Sequence, residues 1–135
     1  MVDNDPEHGG GPSADLTLDG VFEGLRLRVS QGEFGAIFAA PPCSTFSVAR
    51  FFKGRGSRDS GPPPVRTRRH PRGLPRDQLP PRHRDELDKA NLIVARTCAL
   101  LLAGWRVGTQ FAVELSLIHI SSPRDKRQSR MPSSA

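Results

Sequence analysis

The stretch KGRGSRDSGPPPVRTRRHPRGLPRDQLPPRHR, residues 53 to 84, holds seven of the chain's 13 prolines and ten Lys or Arg residues against two Asp. Proline fixes φ and withdraws a backbone donor, so this stretch is a poor continuation of either a helix or a strand ladder. Few of its side chains are apolar, and it is expected to contribute no core and to stand as a long irregular arm, ordered or mobile. Any core then has to come from the flanks. With 135 residues and 36% hydrophobic content, the ceiling is one small domain.

Both flanks carry periodic signals. Leu18, Val21, Phe22, Leu25 and Val29 recur at helical spacing, with Asp19 as N-cap and Gly32 as stop. Phe34 to Ala40 is short, apolar and bounded by Gly and Pro, as expected of a buried strand in a parallel sheet, and Pro41 opens a loop. Beyond the arm, DELDKANLIVARTCALLLA, Asp85 to Ala103, sets Leu87, Ala90, Val94, Cys98 and Leu101 on one helical face, with Gly104 as stop. Val107 to Val113 reads as a second buried strand. Helix, strand, loop, helix, strand is the order of an α/β fold around a parallel sheet, where ligands sit beyond the carboxyl ends of the strands. Cys43 follows one such end and Glu114 closes the other.

The formal charge of +6 points to a polyanionic partner. The acidic opening MVDNDPEHGGG has neither the cationic start nor the apolar stretch of a secretory signal, and no later run reaches membrane-spanning length, so an intracellular (cytoplasmic or nuclear) protein is expected, with no membrane partner. Cys43 and Cys98 lack zinc spacing and are expected to be free thiols, Cys98 in the core, with no metal bound. The last 21 residues, Leu115 to Ala135, break from everything before them and resemble a translated sequencing adapter. CTGTCTCTTATACACATCT read in frame gives Leu115 to Ile120, and CGTATGCCGTCTTCTGCT gives Arg130 to Ala135. This tail is expected to be disordered and outside the fold. Without its four basic residues and one acidic one the net charge falls from +6 to +3.

The ordered landmarks resemble the DNA cytosine-5 methyltransferase family. In that family an apolar strand runs into a Pro-Cys loop continued as Phe-Ser, and Pro42, Cys43, Phe46 and Ser47 stand in that arrangement. SADLT resembles the segment whose Asp approaches the adenine of S-adenosylmethionine, which implies Asp15 in that role. VDND resembles the strand end whose acid holds the ribose hydroxyls, which implies Asp3. Pro41, at the end of the strand before the Pro-Cys loop, is taken with these two as a cofactor contact. FAVE resembles the approach to a Glu-Asn motif, which implies that Glu114 contacts the target cytosine.

The resemblance implies a fragment of a Rossmann-like methyltransferase domain over residues 1 to 114. The Gly-rich cofactor loop, the later arginine motif and the target-recognition region are not in the chain, and Leu115 stands where Asn is expected. The implied activity is methyl transfer from S-adenosylmethionine to cytosine C5, with Cys43 as nucleophile and DNA, or RNA in a divergent branch, as partner. A thiolate in that role needs a cation nearby, and Arg50 and the basic arm are the candidates. The chain as written is expected to be inactive. The Arg-rich arm would hold phosphates while the base leaves the duplex. The alternatives are a non-catalytic basic nucleic-acid-binding module, in which the arm does the work, and a non-functional fragment.

Overall fold

The computed structural model describes Glu7, residues 11–51 and residues 62–114. The tail from Leu115 to Ala135 lies outside them. The elements run α1 (Asp19–Ser30), β1 (Ala36–Ala39), α2 (Pro81–Arg106) and β2 (Gln110–Val113), with short 3-10 turns between them. β1 and β2 pair in parallel, Ala36 opposite Gln110 and Ala39 opposite Val113. The segment between them crosses back through α2, which packs on both strands and along α1. The fold is thus a small α/β arrangement, as its element order predicts.

Each helix starts and stops for a local reason. In α1 the N-cap is Leu18, and Asp19 is the first helical residue, where its carboxylate faces the positive end of the helix dipole. Gly32, at φ 73°, takes the left-handed turn that releases the chain toward β1. α2 begins four residues earlier than its apolar stripe predicts, because Pro81 sits in the first turn, where a missing N–H breaks no intrahelical bond.

Gly104 does not stop α2; it lies buried inside the last turns, and Gly108, at φ 82°, follows the helix end. A Cβ on Gly104 would stand 2.9 Å from Ile37 Cδ1, 3.3 Å from Thr109 Cβ and 3.4 Å from Val29 Cγ1. Its role is therefore close approach of α2 to β1. Gly104→Ala is expected to prise the helix from the strand and to cost about 1–3 kcal/mol in thermal unfolding; a wild-type transition would refute the tight contact.

Three expectations are corrected. The strands are not buried: Phe38 is 69% exposed, and every residue of β2 is exposed. A two-stranded ribbon has two open edges, and α2 reaches only the face that carries Ile37. Cys98 is exposed rather than in the core, because the buried stripe of α2 runs Leu87, Ala90, Thr97, Leu100 and Gly104, one position off the predicted face in its second half.

The arm, finally, does contribute core. Val65, fully buried, packs with Leu79 and Leu87, and Leu74 closes the cluster. Each such side chain stabilises the fold by about 2 kcal/mol. The prolines leave the arm without a ladder, yet Leu74 N–H still donates to Val65 O at 2.9 Å, closing a loop over this cluster.

Candidate functional site

The carboxyl ends of β1 and β2 lie side by side. Glu114 N–H donates to Ala39 O at 2.9 Å, extending the parallel ladder one step past the last strand pair. Glu114 and the loop that carries Cys43, four residues past Ala39, both follow the carboxyl end of the sheet. Glu114 is exposed there and Cys43 is half-buried. Cys43 caps the 3-10 turn Ser44–Phe46, and its carbonyl accepts from Phe46 N–H at 2.8 Å.

Two guanidinium groups grip the residues just after Cys43. Arg50, whose side chain is 6% exposed, donates from Nε to Ser44 O at 2.8 Å and from Nη1 to Pro63 O at 3.2 Å, and its Nη2 pairs with Glu86. Arg66 is buried. Its Nε and Nη2 both donate to Thr45 Oγ1, at 3.2 and 3.1 Å, its Nη1 donates to Pro71 O at 2.7 Å, and its Cζ lies over the Phe46 ring, 3.9 Å from the ring centre. Arg66 meets no carboxylate among the described residues. Burial, with Arg50's charge as a smaller effect, pulls its pKa below the ordinary guanidinium value, and the Phe46 face offsets part of the cost of burying that charge.

Glu86 completes the cluster from the first turns of α2, accepting from Arg50 and lying 3.2 Å from His83 Nδ1. Burial alone would raise its pKa; hydrogen bonds with His83 and Arg50, helped by their charges, hold it below the usual carboxylate range. Thus Thr45 and Phe46 are fixed from the arm through Arg66, and Ser44 through Arg50, which is itself tied to Pro63 of the arm and Glu86 of α2. The Cys43 loop is braced by the segment whose composition least suggests a fold.

The expected cofactor contacts fall differently. Asp3 lies outside the described residues. Asp15 precedes α1, and its Oδ1 accepts from Thr17 N–H at 2.8 Å and Thr17 Oγ1 at 2.7 Å; these two bonds hold its pKa down. Asp15 therefore closes a turn, while its Oδ2 accepts no bond among the described residues and remains an acceptor suited to an exocyclic amine. Pro41 stands where β1 gives way to the Cys43 loop. An open depression of about 540 Å³ lined by Trp105, Gly108, Thr109, Gln110 and Phe111 lies at the amino end of β2, the opposite end from Cys43, and is no part of this site.

The sequence points to Arg50 and to the basic arm as cations near Cys43 but does not single out Arg66 within the arm, and it gives no sign of Glu86 in that place. The available signal is Val65, Leu74 and Leu79, apolar residues in a basic segment whose next apolar neighbour is the buried Leu87 of α2. No group of His, Cys, Asp or Glu suited to a metal occurs among the described residues, nor any helix long and apolar enough to cross a membrane. The chain matches no family model, and neither a curated protein nor a solved structure is found similar to it.

Proposed function

We propose that this chain carries the nucleophile loop of a DNA cytosine-5 methyltransferase-like protein, a Rossmann-like fragment in which Cys43 and Glu114 form the reacting pair. The observation that carries the reading is the in-register parallel pairing of β1 with β2, which supports a Pro-Pro-Cys loop and an acid working at one sheet edge. Asp15, through Oδ2, and Pro41 are the described residues that would hold S-adenosylmethionine. When bound, S-adenosylmethionine supplies an electrophilic methyl group.

C5 of cytosine is a weak nucleophile while the ring is aromatic. The Cys43 thiolate adds to C6, forming an S–C bond and moving electron density to C5. The Glu114 carboxyl, carrying its proton, donates to N3 of the flipped base and so offsets the negative charge that develops on the ring. In the loaded protein C5 would gain the methyl group, with S-adenosylhomocysteine as the other product, and loss of the C5 proton to water with cleavage of the S–C bond would return the Cys43 thiolate and the aromatic ring. The bracing of Ser44, Thr45 and Phe46 holds the loop in one conformation for the addition step.

Duplex DNA containing 5-fluorocytosine tests this, because fluorine on C5 cannot leave as a proton does and the adduct persists. The protein is made from the open reading frame amplified from genomic DNA across the codon for Glu114. The expected result is Glu-Asn at that point and a denaturation-stable adduct formed with S-adenosylmethionine, abolished by Cys43→Ser. No adduct, or a genomic frame that continues as Leu115 to Ala135, would overturn the reading and favour the non-catalytic binding module.

A further inference from the structure

The basic residues of the arm that lie among the described residues divide sharply once their partners are known. Arg66 is turned inward onto Thr45 and Phe46. Arg76 pairs with Asp88, Arg84 donates to Leu79 O at 2.7 Å, and His83 lies against Glu86. Arg68, Arg69, Arg72 and Arg82 remain: all four are exposed, and none forms an ion pair among the described residues. Arg82 stands in the first turn of α2, whereas Arg68, Arg69 and Arg72 belong to one turn.

That turn is built to hold its shape. Thr67 N–H donates to His70 O at 3.3 Å and His70 N–H donates back to Thr67 O at 3.0 Å, with the Thr67 hydroxyl 3.2 Å from His70 Nδ1. Gly73 N–H donates to His70 O at 3.0 Å, and Asn91 Nδ2 reaches across from α2 to Arg72 O at 2.8 Å. Val65 and Leu74 anchor its two ends in the core. Three long cations therefore project from a fixed base, and little backbone entropy is lost when they meet a partner. Arg66, at the root of the turn, is also the residue that grips Thr45, two positions from Cys43.

We propose that the turn from Thr67 to Gly73 is a docking surface for the phosphate backbone of duplex DNA, contacted by Arg68, Arg69 and Arg72 beside the Cys43 loop. The proposal rests on the DNA reading above and adds to it which residues bear the phosphates. Guanidinium groups suit this role because each presents paired donors to phosphate oxygens. Contacts of this kind position the duplex without reading its sequence.

The test is the salt dependence of binding of a mixed-sequence, fluorescein-labelled DNA duplex to the full chain, read by fluorescence anisotropy. Removing one phosphate-binding arginine is expected to reduce the slope of log K against log salt by about 0.9, so Arg68→Gln, Arg69→Gln and Arg72→Gln together remove about 2.7 and the single variants about a third each. A control with Arg26→Gln, Arg28→Gln and Arg106→Gln changes net charge equally on surfaces away from the turn and is expected to leave the slope within about 0.5 of wild type. The single variants keep the test decisive should the triple variant unfold. An equal reduction in the control, an unchanged slope in the turn variants, or tenfold tighter binding to duplex RNA of the same sequence would each overturn the proposal. A protein that shows the expected slopes but forms no adduct with 5-fluorocytosine DNA supports this docking surface and sinks the catalytic reading alone.

Discussion

Gly73→Ala is expected to lower the stability of the chain by about 3 kcal/mol or more, with loss of the folded basic turn. Gly73 sits at φ 127°, a region closed to residues with a side chain, so any substitution there strains the backbone. The new Cβ would also stand 2.1 Å from Leu87 Cδ2 and 2.9 Å from Leu87 Cγ, far inside van der Waals contact. Leu87 cannot simply swing aside, because it is packed with Val65 and Leu79 in the core cluster. Relief therefore requires the turn to lift from α2. Gly32→Ala is the matched comparison: φ is 73° and nothing lies within 4 Å of the added carbon, so its cost is expected to be about 1 kcal/mol. Thermal unfolding of the two variants sets the closed backbone region and the clash at Gly73 against an unobstructed left-handed position at Gly32. A Gly73→Ala protein within about 0.5 kcal/mol of wild type would show that the arm does not pack on α2 as described.

That packing marks where the sequence stops being legible. Helices α1 and α2 are readable because their apolar residues recur at a spacing no other element shares. The parallel pairing is readable from element order, since a long crossover through α2 separates the two strands. The burial of the strands is not, because an apolar run records what a strand is suited to pack against and not whether a neighbour is there. Phe38 and Phe111 are apolar and exposed on a sheet of two strands.

The arm is opaque for a different reason. Its composition is that of a solvated linker, and three apolar residues among many basic ones, Val65, Leu74 and Leu79, carry no period. They are spaced by turns whose geometry depends on Gly73 and on the donors that Arg66 and Asn91 bring to backbone carbonyls, an arrangement no local window contains. Buried arginines are equally hidden. Arg50 and Arg66 look like surface charge until the hydrogen bonds to Ser44, Thr45 and Pro63 are seen. Cys43 and Glu114 are the opposite case, since a position at a strand end follows directly from the run that precedes it.

Arg50→Ala is expected to cost about 3 kcal/mol and to lower the thermal midpoint by about 12 °C or more. The substitution removes the donor to Ser44 O and Pro63 O and leaves Glu86 with His83 as its remaining described partner. An acid stripped of its cation in a partly covered site is penalised more than the lost attraction alone would indicate. The same ion pair sets a pH dependence. Glu86 has a folded pKa below its unfolded value of about 4.3, so the stability it contributes is fully present above that value and is lost as pH falls through the depressed folded one.

Glu86→Gln keeps the shape and removes the titration, and its thermal midpoint is expected to start lower at pH 7 and to converge on that of wild type toward pH 3. Asp15, also depressed in its turn with Thr17, titrates in both proteins and cancels in the difference. Parallel midpoint curves from pH 7 to pH 3 would show that Glu86 does not brace Arg50 in solution. Arg50 would then hold Ser44 without a carboxylate anchoring it to α2, and more of the loop's hold would fall to Arg66 through Thr45 and Phe46.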